Sequence, residues 1–129
     1  NPENLPKMYW VNWFRRDEEG TFLWPGFGEN CRVLGWICDR LSGIGEAVET
    51  PIGFVPTERS LDRTGLDLDE STFAKLVEVN PSSWYQELAL IEAHFDRISE
   101  RLPDEMFKQL DDLRDRLSNE ELMKLGPAR

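Results

Sequence analysis

Histidine and cysteine are scarce in this chain of 129 residues, which has His94 alone and two cysteines, Cys31 and Cys38. No Cys-x-x-Cys pair occurs, so none of the familiar zinc-ligand spacings is available. The two cysteines stand seven positions apart in what reads as one helix. At a rise of about 1.5 Å per residue they are roughly 10 Å apart, beyond the reach of a disulfide. A reducing compartment is the simpler inference. No stretch approaches the roughly 20 apolar residues of a membrane-spanning helix, and Asn1-Pro2-Glu3-Asn4-Leu5-Pro6 has no signal-peptide pattern. The expectation is a soluble, cytoplasmic protein that does not engage a membrane.

Positive charge is also in deficit. Twenty-five acidic residues against fifteen Lys and Arg give a formal net charge of −10. A field of that sign repels phosphate backbones, so nucleic acid is not an expected partner. The motifs of self-sufficient enzymes are missing too, including the G-x-x-x-x-G-K-[ST] phosphate loop, G-x-S-x-G and the dinucleotide-binding glycine fingerprint. His94 has no serine, cysteine or second histidine near it in sequence and reads as the margin of a helix seam. Asp111-Asp112 and Glu120-Glu121 read as solvated helix faces or first-turn acids. No catalytic residue and no metal ligand is assigned. The chain opens without methionine, in a Pro-rich run, and reads as a piece of something longer.

What is present is unevenly distributed. Residues 1–60 hold four of the five tryptophans and a net charge of −3, whereas residues 61–129 carry −7 and Trp84 alone. The expected organisation is an aromatic hairpin, loop, helix and edge strand over 1–60 and a helical subdomain over 61–129. The fold class is α+β.

Met8-Tyr9-Trp10-Val11-Asn12-Trp13-Phe14 reads as a strand, with Tyr9, Val11 and Trp13 on one face and Asn12 and Phe14 on the other. The polar run Arg15–Gly20 leads to Thr21-Phe22-Leu23-Trp24, so a β-hairpin is expected, broken by Pro25-Gly26. Val33, Leu34, Ile37 and Leu41 then form one helix face, with Gly43 as its C-terminal cap. Pro51–Pro56 reads as an edge strand.

A short helix is expected over Asp69–Val77, burying Phe73, Leu76 and Val77. Asn80-Pro81 opens the next. Trp84, Leu88, Ile91, Phe95, Ile98 and Leu102 follow 4-3-4-3-4 spacing, and after Pro103 a second seam continues through Met106, Leu110, Leu113 and Leu117. Two such seams imply an antiparallel helix pair. Ser118-Asn119-Glu120-Glu121 matches a capping box for a last short helix, stopped by Gly126-Pro127.

The unusual segment is 13–30. Phe14, Phe22 and Phe27 sit on the hairpin and its exit loop, and Pro25-Gly26-Phe27-Gly28-Glu29-Asn30 leads into a helix. Rings of this kind stack on any nucleobase at about 1–3 kcal/mol each, so stacking alone selects none. Selection needs hydrogen bonds. Backbone N–H groups at the helix start suit the O6 acceptor of guanine and oppose the amino group of adenine, and an unpaired donor costs about 1–3 kcal/mol. On the residues alone two readings stand: a guanine slot, or phenylalanines that are simply core.

Val11-Asn12-Trp13-Phe14-Arg15-Arg16-Asp17, Gly20, Phe22-Leu23-Trp24-Pro25-Gly26-Phe27-Gly28-Glu29-Asn30 and Arg32-Val33-Leu34 closely resemble the C-terminal part of GTP-dependent phosphoenolpyruvate carboxykinase. Thr50-Pro51-Ile52-Gly53-Phe54-Val55-Pro56 fits the same family. The resemblance covers residues 5–60 most specifically, the helical remainder agrees in arrangement and placement with weaker sequence identity, and the whole is implied to be a fragment of a larger α/β nucleotide-binding domain. It implies a lyase of gluconeogenesis that converts oxaloacetate and GTP to phosphoenolpyruvate, GDP and CO2 with Mn²⁺ or Mg²⁺. It further implies that Phe14, Phe22 and Phe27 enclose guanine, that Phe27, Gly28, Glu29 and Asn30 touch the nucleotide, and that Asn30 hydrogen-bonds the base. Trp13 and Trp24 then pack around the pocket.

The phosphate loop with its reactive cysteine, the metal ligands, the substrate arginines and the lid belong, by the same resemblance, to an upstream part of the same enzyme. Cys31 is not that cysteine; it replaces a residue that is often serine in the family. The parent is expected to be monomeric. The segment alone is expected to be inactive and to bind GDP at millimolar concentration or weaker. The alternative is a non-enzymatic interaction module that docks through its exposed aromatics and heptad-like helices.

Overall fold

The computed structural model describes residues 4–125. Its regular elements are four helices and one two-stranded antiparallel sheet, an α+β composition. The described residues up to Glu49, with Phe54–Glu78, form one compact unit; Thr50–Gly53 and the described residues from Val79 onward form the other.

In the first unit the aromatic start is less regular than its composition suggests. Met8–Phe14 forms no strand. Aromatic and β-branched side chains favour a pleated conformation only where a neighbouring strand pairs with it, and this run has none among the described residues. Trp13 and Phe14 instead lie in a turn, closed by the Phe14 N–H donating to Asn12 Oδ1 at 3.0 Å. The expected hairpin shrinks to one antiparallel bridge between Arg16 and Phe22, flanked by Leu23 N–H to Arg15 O at 2.9 Å and Asp17 N–H to Thr21 O at 3.0 Å. Side-chain alternation survives only over residues 11–14, where Val11 and Trp13 are half-buried and Asn12 and Phe14 exposed; Tyr9, expected on the Val11 and Trp13 face, is exposed.

Helix α1 spans Asn30–Leu41. Its buried face differs from the expected stripe. Trp36 is the buried residue, Val33 and Ile37 pack beside it, and Leu34 and Leu41 are 55% and 59% exposed. The largest apolar side chain dictates the rotation, because burying Trp36 removes more surface than burying either leucine. Its indole N–H donates to Glu46 O at 2.9 Å. Beyond the helix Gly43 takes φ +77°, and the N–H groups of Gly43 and Ile44 close on the carbonyls of Arg40 and Asp39, the termination expected for a glycine there.

Strand β1 (Ala47–Thr50), which the sequence pattern did not reveal, pairs with β2 (Gly53–Pro56). Pro51 lies in the turn, so the expected strand over 51–56 begins two residues later. Helix α2 (Glu70–Val77) starts at Asp69, whose carboxylate accepts the Thr72 N–H at 2.7 Å. Its Phe73 joins Trp24, Trp36, Leu61 and Leu68 in the core of this unit. Residues 61–77 thus supply three of the five buried residues of that core.

The second unit is a helix pair. Helix α3 (Pro81–Arg97) is capped by Asn80, which accepts the Ser83 N–H at 3.2 Å, and has proline in its first turn. Helix α4 (Asp104–Leu125) follows Pro103. Tyr85 meets Ser118, Glu92 meets Arg114 and Phe95 meets Phe107, so the helices run antiparallel. Val79, Leu88, Leu110 and Leu117 are the buried centre.

Two expectations fail at the ends of these seams. Helix α3 stops at Arg97, and Ile98, 39% exposed, leads into a 3-10 turn over Ser99–Arg101. Ser118 does not cap a new helix, because α4 continues through it. Its hydroxyl donates to the Arg114 carbonyl one turn back, at 2.9 Å, and pairs with Tyr85. That back-bond satisfies the serine inside a helix and removes the need for a break. The expected stop at Gly126-Pro127 lies outside the described residues.

Candidate functional site

All six residues singled out from the sequence lie in the first unit: Phe14 in the turn before the short bridge, Phe22 on the bridge, Phe27, Gly28 and Glu29 in the turn that enters α1, and Asn30 at its first position. Gly26 makes that entry possible: its φ of +136° is a conformation other residues adopt at a cost in strain. A 3-10 turn over Phe27–Glu29 follows, and no side chain caps it. The Glu29 N–H donates to Gly26 O at 3.1 Å and the Asn30 N–H to Phe27 O. The expectation that helix-start amides read a base is therefore corrected for these two, whose donors are consumed by the turn.

The three phenylalanines are not core. Phe14 is 72% exposed, Phe22 47% and Phe27 89%. Phe14 and Phe22 are brought together, with centroids 6.1 Å apart and planes at 62°, an edge-to-face pair and not two walls of a parallel gap. Phe27 makes no ring contact with any described residue and offers open faces. Gly28 has no neighbour within 4 Å of where a side chain would begin, so the main chain there is open to approach.

Glu29 is engaged elsewhere. Its carboxylate accepts from Arg32 Nε at 2.7 Å, and Arg32 also reaches the Asp62 carbonyl at 3.0 Å and its carboxylate at 3.4 Å. The hydrogen bond that Arg32 donates to Glu29, with the charges of both carboxylates, raises the Arg32 pKa against the opposing effect of desolvation. This pair ties the start of α1 to the loop at Asp62. Asn30 Oδ1 accepts the Trp24 indole N–H at 2.8 Å.

Two participants were not foreseen. The Arg16 guanidinium lies over Phe22, and Trp24 does more than pack, since it holds the Asn30 amide. The second had a signal in the sequence: a buried indole N–H seeks an acceptor, and Asn30 is the nearby candidate. Cys31 and Cys38 are exposed free thiols, and Cys31 donates weakly to Gly28 O at 3.7 Å. His94 is exposed in the last turn of α3, outside any seam.

The chemistry available here is recognition: flat apolar faces, an amide and an accessible main chain. Among the described residues no three His, Cys, Asp or Glu side chains gather as a metal ion requires, so these residues do not fit a Mn²⁺ or Mg²⁺ site. No helix of the described residues is long and apolar enough to cross a membrane.

Residues 1–116 match the family model described as the phosphoenolpyruvate carboxykinase C-terminal P-loop domain. The chain is 53% identical over 117 residues to phosphoenolpyruvate carboxykinase [GTP] of Paenarthrobacter aurescens, covering 91% of this chain and 19% of that protein. Identity to the Treponema pallidum enzyme of the same name is 44%, over 92% of this chain and 19% of the relative. To the mouse mitochondrial enzyme it is 46%, over 88% and 18%. The chain thus spans about a fifth of the length of the curated relatives it matches. With a family model over nine-tenths of its length and relatives at these identities, the chain belongs to the GTP-dependent phosphoenolpyruvate carboxykinase family, within the C-terminal domain.

Proposed function

We propose that this chain supplies the guanine half of the nucleotide site of a phosphoenolpyruvate carboxykinase. The complete enzyme converts oxaloacetate and GTP to phosphoenolpyruvate, GDP and CO2 in gluconeogenesis, using a divalent metal held by its upstream part. Phe14, Phe22 and Phe27 provide ring surface for the base. Phe27, Gly28, Glu29 and Asn30 line the nucleotide, with the Asn30 side chain as hydrogen-bonding group. The observation that carries this reading is the exposure of all three rings on the one segment that also presents the Asn30 amide; phenylalanines serving as core would be covered.

The phosphates, the metal and the reacting carbons need groups the described residues do not gather, so the chain by itself is inactive. Two or three stacking contacts correspond to GDP binding in the millimolar range or weaker. The upstream part of the same enzyme is the expected partner of the apolar run at Leu5, Met8 and Trp10, of which Met8 and Trp10 are 93% and 98% exposed. Exposed free thiols at Cys31 and Cys38 favour a reducing compartment, the cytoplasm.

Intrinsic tryptophan fluorescence with GDP and then ADP tests the proposal. Saturable quenching near millimolar GDP, weaker with ADP, is the expected result. Indifference to both nucleotides favours an interaction module, and submicromolar GDP affinity contradicts the incompleteness of the site.

A further inference from the structure

Indole has one N–H donor and no acceptor, so the Trp24 ring can meet the Asn30 amide only through its oxygen. That fact assigns the two ends of the amide by chemistry: Oδ1 toward Trp24, Nδ2 away from it. The anchor is rigid. Trp24 is 7% exposed, sits in the core with Trp36, Leu61, Leu68 and Phe73, and packs on Trp13 at 5.8 Å between centroids. Turning the amide over would aim its NH2 at the indole N–H and leave a buried donor without a partner.

The free end is equally defined. Asn30 is half-buried, its Nδ2 has no partner among the described residues, and its backbone N–H is already held by Phe27 O. The uncommitted end of the side chain is therefore its NH2, a pair of hydrogen-bond donors at the start of α1, one residue past the 3-10 turn that carries Phe27.

Building on the guanine reading above, we propose that Trp24 is a positioning residue for base selection: by holding Asn30 Oδ1, it aims the Asn30 amino group at the nucleotide. A donor there pairs with the 6-oxo group of a purine and opposes the 6-amino group of adenine. IDP keeps the 6-oxo group and lacks the 2-amino group of GDP, so it isolates this contact from the rest of base recognition.

The test is equilibrium binding of GDP, IDP and ADP to the chain and to its Trp24→Phe and Asn30→Asp variants. The unmodified chain prefers GDP and IDP over ADP. Trp24→Phe frees the amide to rotate, and the preference for IDP over ADP falls at least fivefold. Asn30→Asp replaces the donors by an acceptor and abolishes that preference. A merely structural Trp24 weakens all three nucleotides by one factor and leaves the ratio unchanged, which overturns the proposal. Should Trp24→Phe fail to fold, hydrogen exchange of the Trp24 indole N–H in the unmodified chain decides: slowing with IDP but not ADP supports the proposal, and no change overturns it. An unmodified chain that does not distinguish GDP from ADP defeats the guanine reading, and the positioning role with it. One that does, alongside an unchanged ratio in Trp24→Phe, defeats the positioning role alone.

Discussion

The Arg16 guanidinium lies over the ring of Phe22, its Cζ 3.7 Å from the centroid, while its Nη1 donates to the Gly20 carbonyl. A cation on one face and the Phe14 ring against it leave Phe22 less open surface than Phe27 has. The three phenylalanines are therefore not equivalent as stacking partners.

Phe27→Ala should weaken GDP binding by the worth of one stacked base, about 1–3 kcal/mol, with the melting temperature unchanged because the ring packs against little. Phe22→Ala should weaken binding less and lower the melting temperature, through lost contact with Arg16 and Phe14. Parallel titrations and thermal melts of both variants check this ordering.

In the helix pair, Leu117 is fully buried and Met106 is 41% exposed. Leu117→Ala should destabilise by about 2–5 kcal/mol, whereas Met106→Ala should stay within about 0.5 kcal/mol. Urea unfolding followed by circular dichroism gives both values.

The Tyr85 hydroxyl and the Ser118 hydroxyl are 3.0 Å apart across α3 and α4. A double-mutant cycle of Tyr85→Phe and Ser118→Ala should return a coupling of about 0.5–1.5 kcal/mol. A serine that merely capped a separate helix would show none.

Acid stability carries a sign that follows from Asp69 and Asp62. The N–H of Thr72 on Asp69, and that of Thr64 on Asp62, hold both carboxyls below their ordinary value of 3.8. A lowered folded pKa means the stabilisation is complete above the unfolded value and is lost as pH falls through the folded one. The melting temperature should thus drop below about pH 4, and less steeply in Asp69→Asn, which keeps a cap but does not titrate there. Arg32 works in the opposite sense: its pKa is raised, so its contribution stays intact through the acid range and is lost only at strongly alkaline pH.

Features written in local chemistry were legible before any coordinates. Asn80-Pro81 and Gly43 each satisfy or terminate a helix end through their own side chain or backbone freedom, which needs no distant partner. Features that depend on a neighbour were not. Met8–Phe14 has the composition of a strand and no strand to pair with. Leu34 and Leu41 fit a helical stripe as well as Trp36 does, and only the presence of Leu61, Leu68 and Phe73 decides in favour of the tryptophan. Ser118 carries a capping signature that Tyr85 and the Arg114 carbonyl override. At the candidate site the motif proposes residues but does not say what each one touches: Glu29 turns to Arg32, Arg16 covers Phe22, and Trp24 donates to Asn30.

The most direct test of the guanine-site account is a residue-resolved amide titration of the chain with GDP and, separately, ADP. The account predicts shifts centred on Phe14, Phe22, Phe27, Gly28 and Asn30, with a midpoint in the millimolar range for GDP and a weaker response to ADP. Shifts centred elsewhere, or equal responses to the two nucleotides, would contradict it.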